Sequence, residues 1–387
     1  MKLYGLPGES TSLSKANMKP RKSMHSGREL SSTSNSAPSR KLVTAYDVAR
    51  LAGVSQSAVS RAFSPGTSIS QRTLSKVEKA ARELGYRPNA IARMLSTSRS
   101  HLIGVVVPPL ENQFYPALLE ALSAAFGRKG YRLLLFTSQA QQSFDPLLTE
   151  VLTSRVDALV MVAASISSSF ADECKQSGLP VVLLNRKTGS KMVSSVVGAS
   201  RAGAETIAKF LIAGKHRRYA FIAGDSSSST SRDREDAFRK YLMKNGISLH
   251  ARVDGNYSFE QTRVVTRQLL SMKQRPDAIF CVNDHMALSA INVTKVEFGL
   301  DLGRELSIVG VDDSELASWP IFGLTTYGQP IALMAERVVD TILIQLTGKS
   351  EPTEIVVPGE LIVRSSARVP SSGITGSPER RIWTPKN

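Results

Sequence analysis

Apolar and polar positions follow two different rhythms along this chain. From His101 onward, unbroken apolar runs (LIGVVV, YRLLLF, ALVMVA, PVVLL, SSVV, YAFIAG, DAIFCV and LSIVGV) are separated by amphipathic stretches such as FYPALLEALSAAFGRKG. An unbroken apolar run suits a strand covered on both faces, and its alternation with helices predicts βαβ units around a parallel sheet. So many strands are too many for one sheet, so two α/β subdomains are expected. No repeat of solenoid length is visible.

Between Thr44 and Gly85 the rhythm is helical. Thr44 reads as the N-cap of a helix starting at Ala45, with Val48, Ala49 and Ala52 along one face. Gly53 follows, where a positive φ turns the chain cheaply. Val54 plugs the corner. Ser55 caps a second helix, whose Val59, Ala62 and Phe63 face back to the first. Two helices joined by a short glycine turn predict a helix-turn-helix. SPGT, Ser64 to Thr67, reads as a turn, and Ser70 caps a third helix with the stripe Leu74, Val77, Ala81 and Leu84, ended by Gly85. Pro88 stops this unit and Asn89 caps a segment running to Leu95. About seven residues do not hold a helix alone. With Ile91, Met94 and Leu95 exposed, the segment is either a linker with incidental helicity or a helix that forms only against a partner copy and DNA. In the second case Leu95 wedges between bases from the minor groove.

The polar residues of the second helix then acquire a reason. Gln56 and Ser57 lie in its first turn, the end that enters a major groove, and Arg61 lies one turn on. Gln pairs bidentately with adenine and Arg with guanine. The hydroxyls of Thr44, Tyr46, Ser55 and Ser60 suit phosphates. An αα-hairpin with a solvated polar face shares the bare pattern; the third helix and the segment after it favour the DNA reading.

Charge sharpens this division. Residues 1–100 hold 17 Lys and Arg against 5 Asp and Glu, a net +12 of the chain's +16. A basic end on a near-neutral body is the footprint of a polyanion partner, although a solvated basic tail has the same charge. Residues 1–42 are rich in Ser, Lys and Arg and too poor in large apolar residues to offset their chain entropy, so disorder is expected there. Met18 and Met24 offer alternative starts within them. Two cysteines, Cys174 and Cys281, make no disulfide framework, and no apolar run is long enough to span a membrane. With no hydrophobic segment after the early Lys and Arg, no secretory signal is read, and a cytoplasmic location is expected.

TAYDVARLAGVSQSAVSRAF, the third helix and GYRPNAIARML together resemble the DNA-binding headpiece and hinge helix of the lac repressor (LacI/GalR) family. IGVVVP, NDHMALSA, ELSIVGVDDSELA and LTTYGQP resemble later family blocks in the same order, so the likeness spans about residues 43–369. It implies a small all-α helix-turn-helix headpiece and hinge helix, followed by a two-subdomain α/β effector domain like the periplasmic binding proteins. The implied divisions are a disordered extension 1–42, a headpiece 43–87 and a hinge 88–100. They continue with a first subdomain of 101–198 with 324–350, a second of 199–323 with 351–369, and a loose Ser, Gly and Pro-rich tail 370–387. Crossovers are expected near Val197 to Ser200, Leu324 to Gln329 and Ser350 to Glu354.

The resemblance also implies a homodimer on a pseudo-palindromic double-stranded operator, with a small-molecule effector in the cleft. It places Gln56, Ser57 and Arg61 at base-reading positions, and Asn89, Ala92 and Leu95 in the hinge at the minor groove. In the cleft, Arg234, Asp312 and Asn283 match effector-contacting positions, Tyr257 a site that is often aromatic, and Phe114 and Tyr115 an aromatic pair. Trp319 is a further candidate wall. Each also has a structural reading: Asp312 as a cap, Arg234 in a surface ion pair, Trp319 in the core. The run Ser226 to Thr230 departs from the bulkier residues of some members, and Arg217 and Arg263 would favour an acidic ligand if they reached the cleft.

Three other functions fit less of the chain. A transport solute-binding protein has no use for a basic headpiece. An enzyme is not indicated: no P-loop, GxGxxG after a strand, HExxH or GxSxG occurs, and SLSK near the N-terminus is a chance match. An architectural DNA binder leaves the α/β region unexplained. The expectation is therefore a repressor of a carbohydrate or sugar-acid catabolic operon, without enzyme activity or cofactor.

Overall fold

A computed structural model describes residues 43–63, 67–87, 99–137, 144–163, 168–187, 193–348 and 351–385. The extension 1–42, most of the SPGT turn, and the hinge with Asn89, Ala92 and Leu95 lie outside the described residues. The chain forms two compact units, Met1–Pro88 and Asn89–Asn387.

In the first unit α1 (Ala45–Ala52), α2 (Gln56–Ala62) and α3 (Gln71–Leu84) pack around Val48, Ala49, Val59, Val77, Ala80 and Ala81. The caps are those the sequence implies. Thr44 and Asp47 form a reciprocal capping box on α1, and the side chains of Ser55 and Ser70 accept from Ala58 N and Thr73 N. Gly53 takes φ 64° and returns its N–H to the Ala49 carbonyl, which closes α1 and starts the turn. Each cap satisfies a backbone group that a helix end leaves open, so these short helices are delimited by local chemistry. Phe63 and Tyr86 close the core with ring centroids 5.8 Å apart.

The second unit begins with β1 (Leu102–Val107), α4 (Phe114–Arg128), β2 (Arg132–Thr137), α5 (Phe144–Thr153), β3 (Ala158–Val162), α6 (Ser168–Gln176), β4 (Val181–Leu184) and β5 (Ser194–Gly198). It continues through α7 (Ser200–Ala213), β6 (Tyr219–Ala223), α8 (Ser229–Lys244), β7 (Ala251–Asp254), α9 (Phe259–Leu270), β8 (Ala278–Cys281) and α10 (Asp284–Asn292). Then come β9 (Ser307–Asp312), α11 (Glu315–Ser318), β10 (Thr325–Gly328), α12 (Ile331–Gln345), β11 (Glu354–Val357), β12 (Glu360–Ile362), β13 (Ile374–Ser377) and β14 (Arg380–Trp383).

Two sheets result. One is parallel, in the order β11-β5-β4-β3-β1-β2; the other runs β13-β14-β12-β10-β9-β8-β6-β7, parallel from β7 to β10 and antiparallel beyond. Every residue of β3, β4, β6, β8 and β9 is buried, which is why these strands read as unbroken apolar runs. The edge strand β7 alternates between half-buried and exposed, and its short ARVD pattern carries no clear strand signal.

The chain changes sheet after Gly198, after Gly328 and after Val357. Two expected assignments are corrected. β10 belongs to the second sheet, not the first subdomain, because it pairs in parallel with β9. β11 belongs to the first sheet, not the second subdomain, because it pairs with β5. Strand pairing is non-local, so nothing within LTTYG or EIVV reveals it. The connections are tightly packed. A β-carbon on Gly359 would lie 2.0 Å from the Gly328 carbonyl oxygen, and the Tyr327 hydroxyl accepts from Gly359 N at 3.0 Å.

The tail is a third correction. It is not loose: β13 and β14 form a hairpin that extends the second sheet through β12. Trp383 is buried against Phe210, edge to face at 5.5 Å, and its indole N–H donates to the Ser372 carbonyl. One large aromatic side chain anchors a segment whose Ser, Gly and Pro content suggested coil.

Candidate functional site

Two surfaces carry chemistry. On the first unit, Gln56, Ser57, Ser60 and Arg61 are exposed on α2, while Ala58 and Val59 of the same helix are buried. The Ser57 hydroxyl lies 2.9 Å from that of Ser55. Thr44 and Ser55 stand at the N-termini of α1 and α2, and Tyr46 is 65 % exposed. The predicted readers and phosphate-facing hydroxyls thus share one small, water-facing unit.

On the second unit, a small, tightly lined cavity is bordered by Asn112, Phe114, Tyr115, Ala163, Asn185, Arg186, Thr230, Arg234, Tyr257, Asn283 and Asp312. These residues follow or end β1, β3, β4, β6, β7, β8 and β9 at their carboxyl ends. In open α/β sheets ligands bind in the crevice beyond the carboxyl ends of strands. Four of the lining residues hold positive φ without being glycine: Ala163 at 51°, Asn185 at 59°, Tyr257 at 60° and Asp312 at 140°. Backbone strain of this kind persists where the surrounding structure over-determines it, and it clusters at ligand clamps.

Of the predicted cleft residues, the structure brings Arg234, Asp312, Asn283, Tyr257, Phe114 and Tyr115 to this cavity. Arg234 is 3 % exposed on α8. One terminal N–H donates to the Val282 carbonyl at 2.6 Å, and its Nε has no partner. Asn283 caps α10 by accepting from Met286 N, so a structural duty occupies its side-chain oxygen. Asp312 accepts from the Gln329 amide at 2.7 Å. Behind it, Asp284 is fully buried and accepts from Ser314 N and the Thr326 hydroxyl. Burial pushes the Asp312 carboxyl up to about 7; Arg234 opposes the shift and Asp284 adds to it. Asp284 is raised for the same principal reason, burial. Burial also raises the Tyr115 phenol.

Trp319 does not line the cavity. It follows α11 and is 48 % exposed, which corrects its expected role as a wall. Arg217 and Arg263 are also elsewhere: Arg217 is exposed, and Arg263 pairs with Glu260 and Glu297.

Sequence reasoning missed Asn112, Ala163, Asn185 and, with the most contacts across the cavity, Arg186. Arg186 follows β4, and its Nε donates to the Ala163 carbonyl at 2.9 Å. Nη1 reaches across to the hydroxyls of Ser228 and Thr230. Lys187 N donates to the Ser229 hydroxyl at 2.9 Å, and Ser228 also meets the Tyr257 hydroxyl. The serine run is therefore the N-terminus of α8 and a cross-cleft contact surface. The available signal was position: Arg186 stands just beyond the apolar run PVVLL. Among the described residues no cluster of three or more His, Cys, Asp or Glu could hold a metal, and no helix is long and apolar enough to cross a membrane.

Comparison with known proteins agrees with this two-part layout. Residues 44–89 match the model of bacterial regulatory proteins of the lacI family, and residues 208–367 match a periplasmic binding protein-like domain. The HTH-type transcriptional repressor PurR of Photobacterium profundum is 28 % identical over 335 residues, covering 84 % of this chain and 99 % of that protein. The ribose operon repressor of Escherichia coli is 29 % identical over 310 residues, covering 79 % and 94 %. The crystal structure of the lac repressor dimer bound to operator and the anti-inducer ONPF superimposes with a TM-score of 0.77 at 28 % identity, over 85 % of this chain and all of that one. In matching order and at nearly full length of these relatives, the chain carries a lacI-family helix-turn-helix domain followed by a periplasmic binding protein-like α/β domain, and it is similar to the repressors built on that plan.

Proposed function

We propose that this protein is a transcriptional repressor whose affinity for a DNA operator is set by a small molecule in the α/β cavity. One observation carries the reading. A cavity at the carboxyl ends of two sheets holds a buried arginine with an unpartnered N–H, in a chain whose headpiece exposes Gln56, Ser57 and Arg61 on one short helix. In this reading those three side chains read bases, and Thr44, Tyr46, Ser55 and Ser60 hold phosphates. Asn89, Ala92 and Leu95 act at the minor groove. The protein works as a homodimer on a pseudo-palindromic site, as the two-fold symmetry of such complexes requires. The dimeric lac repressor on its operator supports this.

The ligand is a carbohydrate or sugar acid, and the regulated genes serve its catabolism. Arg234, Asn283 and Asp312 offer donors and acceptors for neighbouring hydroxyls, Tyr115 and Tyr257 offer ring faces, and one relative is a ribose operon repressor. The protein is cytoplasmic and needs no cofactor; no reaction is assigned to it. The test is a selection from randomised duplexes, followed by operator titrations with and without sugars that raise the melting temperature of the protein. The expected result is one two-fold consensus, with an affinity that changes when ligand is added. Failure to enrich any sequence would end the reading, and so would an operator affinity indifferent to every stabilising ligand.

A further inference from the structure

We propose that the ligand of this cavity is anionic, a polyol whose carboxylate or phosphate sits between Arg186 and Arg234 at the N-terminus of α8. The inference deepens the reading of the cavity as an effector site and depends on it.

The lining residues carry two guanidinium groups and one carboxylate, Asp312. Arg186 has no carboxylate within 4 Å among the described residues; its hydrogen bonds go to a carbonyl and to hydroxyls. Arg234 is 3 % exposed, bonds to the Val282 carbonyl and leaves Nε without a partner. Elsewhere in the same unit several arginines are matched with acids: Arg201 with Asp233 and Asp236, Arg252 with Glu235 and Asp254, Arg267 with Glu297, and Arg364 with Asp313; the side chains of Arg218 and Arg368, which do not line the cavity, bond to carbonyls. A buried charge is costly unless it is paired: buried Arg234 has only Asp312 acting on it, and half-buried Arg186 feels only the exposed Asp225, so the cavity is short of negative charge and points to a charge supplied from outside.

The surroundings favour the same sign. α8 is sixteen residues long, and its N-cap Ser228 touches Arg186. The positive end of a helix dipole and the open N–H groups of its first turn favour an anion there. Asp312, the one acid present, is drawn towards its neutral form by burial, which lessens its repulsion of an anion. Asn185 is 8 % exposed, and its side-chain oxygen lacks a partner, an acceptor suited to a ligand hydroxyl. A neutral sugar would be served by Arg234 and Asp312 and would leave Arg186 with hydroxyl partners only.

The experiment uses the full chain and its Arg186→Gln and Arg186→Lys variants. Melting temperatures are measured in inorganic phosphate and in sodium chloride at matched ionic strength. Phosphate should raise the melting temperature above chloride in the wild type, the excess should vanish in Arg186→Gln, and Arg186→Lys should restore part of it. Matched pairs then identify the group: glucuronate against glucose for a carboxylate, ribose 5-phosphate against ribose for a phosphate. One acid should bind at least about tenfold more tightly than its neutral partner, with that gap closed by Arg186→Gln. An equal phosphate effect in wild type and Arg186→Gln overturns the proposal, as does a neutral sugar that binds as tightly as its acid. The two readings fail separately. An Arg186-dependent anion effect without any selected operator removes the regulator and keeps the anion site. An operator released by neutral sugars alone does the reverse.

Discussion

Helix α2 and the α/β cavity present similar side-chain chemistry in opposite settings. Gln56, Ser57 and Arg61 stand in water on a helix of seven residues, fixed by one serine cap and a three-helix core. Arg234, Asn283 and Asp312 are each 3 % exposed and come from positions 78 residues apart in sequence, held together by a single sheet. Exposed groups cost little to hold and meet a partner of high charge density, so their binding is strong in sum and screened by salt. Buried groups are desolvated in advance, so each lost contact weighs more and salt matters less. The contrast teaches that one chain can separate affinity for a polymer from sensitivity to a small molecule by placing them in different dielectric surroundings.

The largest test of the contrast is salt. If the headpiece neutralises six or more phosphates, operator affinity should fall by roughly a thousandfold between 50 and 200 mM salt. Fluorescence anisotropy at four salt concentrations measures the slope, and a flat response would erase the distinction. Next is the cavity. Arg234→Ala should weaken effector binding by about 1.5–3 kcal/mol, roughly ten- to a hundredfold, through loss of a charge-assisted hydrogen bond. Calorimetric titration decides it; wild-type affinity would remove Arg234 from the site. The exposed side chains of α2 follow. Gln56→Ala or Arg61→Ala should cost about 1–3 kcal/mol on the preferred operator and relax one position of the consensus. A variant that selects the wild-type consensus has not lost a reader.

Two further predictions probe the scaffolds. Gly53 has φ 64°, and a β-carbon added there would meet nothing within 4 Å, so Gly53→Ala carries conformational strain without a clash. The expected loss is about 1–2 kcal/mol of headpiece stability, read as faster amide exchange in α1 and α2. Unchanged exchange would mean that the turn is not held in the left-handed region. The second is the pH dependence of Asp312. Its folded pKa is raised from 3.8 to about 7, so the native state holds a proton that the unfolded state releases between these values. This contribution to stability is complete below about 3.8 and is lost as pH rises through 7. Asp312→Asn should therefore gain on the wild type as pH rises from 4 to 8 in thermal unfolding. A difference constant with pH would mean that Asp312 titrates normally.

The same contrast explains what could be read in advance. The caps Thr44, Ser55 and Ser70 and the turn glycines Gly53 and Gly85 act over three or four residues, so the headpiece was legible at that range. The cavity was legible in part, because Arg234, Asp312 and Asn283 sit in stretches that resemble family blocks. Arg186 was not, since its meaning lies in reaching Ser228 and Thr230 some forty residues onward.

By itself the sequence determined the helices of the headpiece, the buried strands and the concentration of positive charge near one end. These follow from caps, periodicity and composition, whose physics is local. Tertiary structure alone decided that β10 joins the second sheet and β11 the first, and that the tail forms a hairpin held by Trp383. It also decided that Trp319 faces solvent and that Arg186 enters the cavity. Such choices depend on which distant strands share hydrogen bonds and which side chains find room in the core. Those are energies of the assembled whole, and no short stretch of residues carries them.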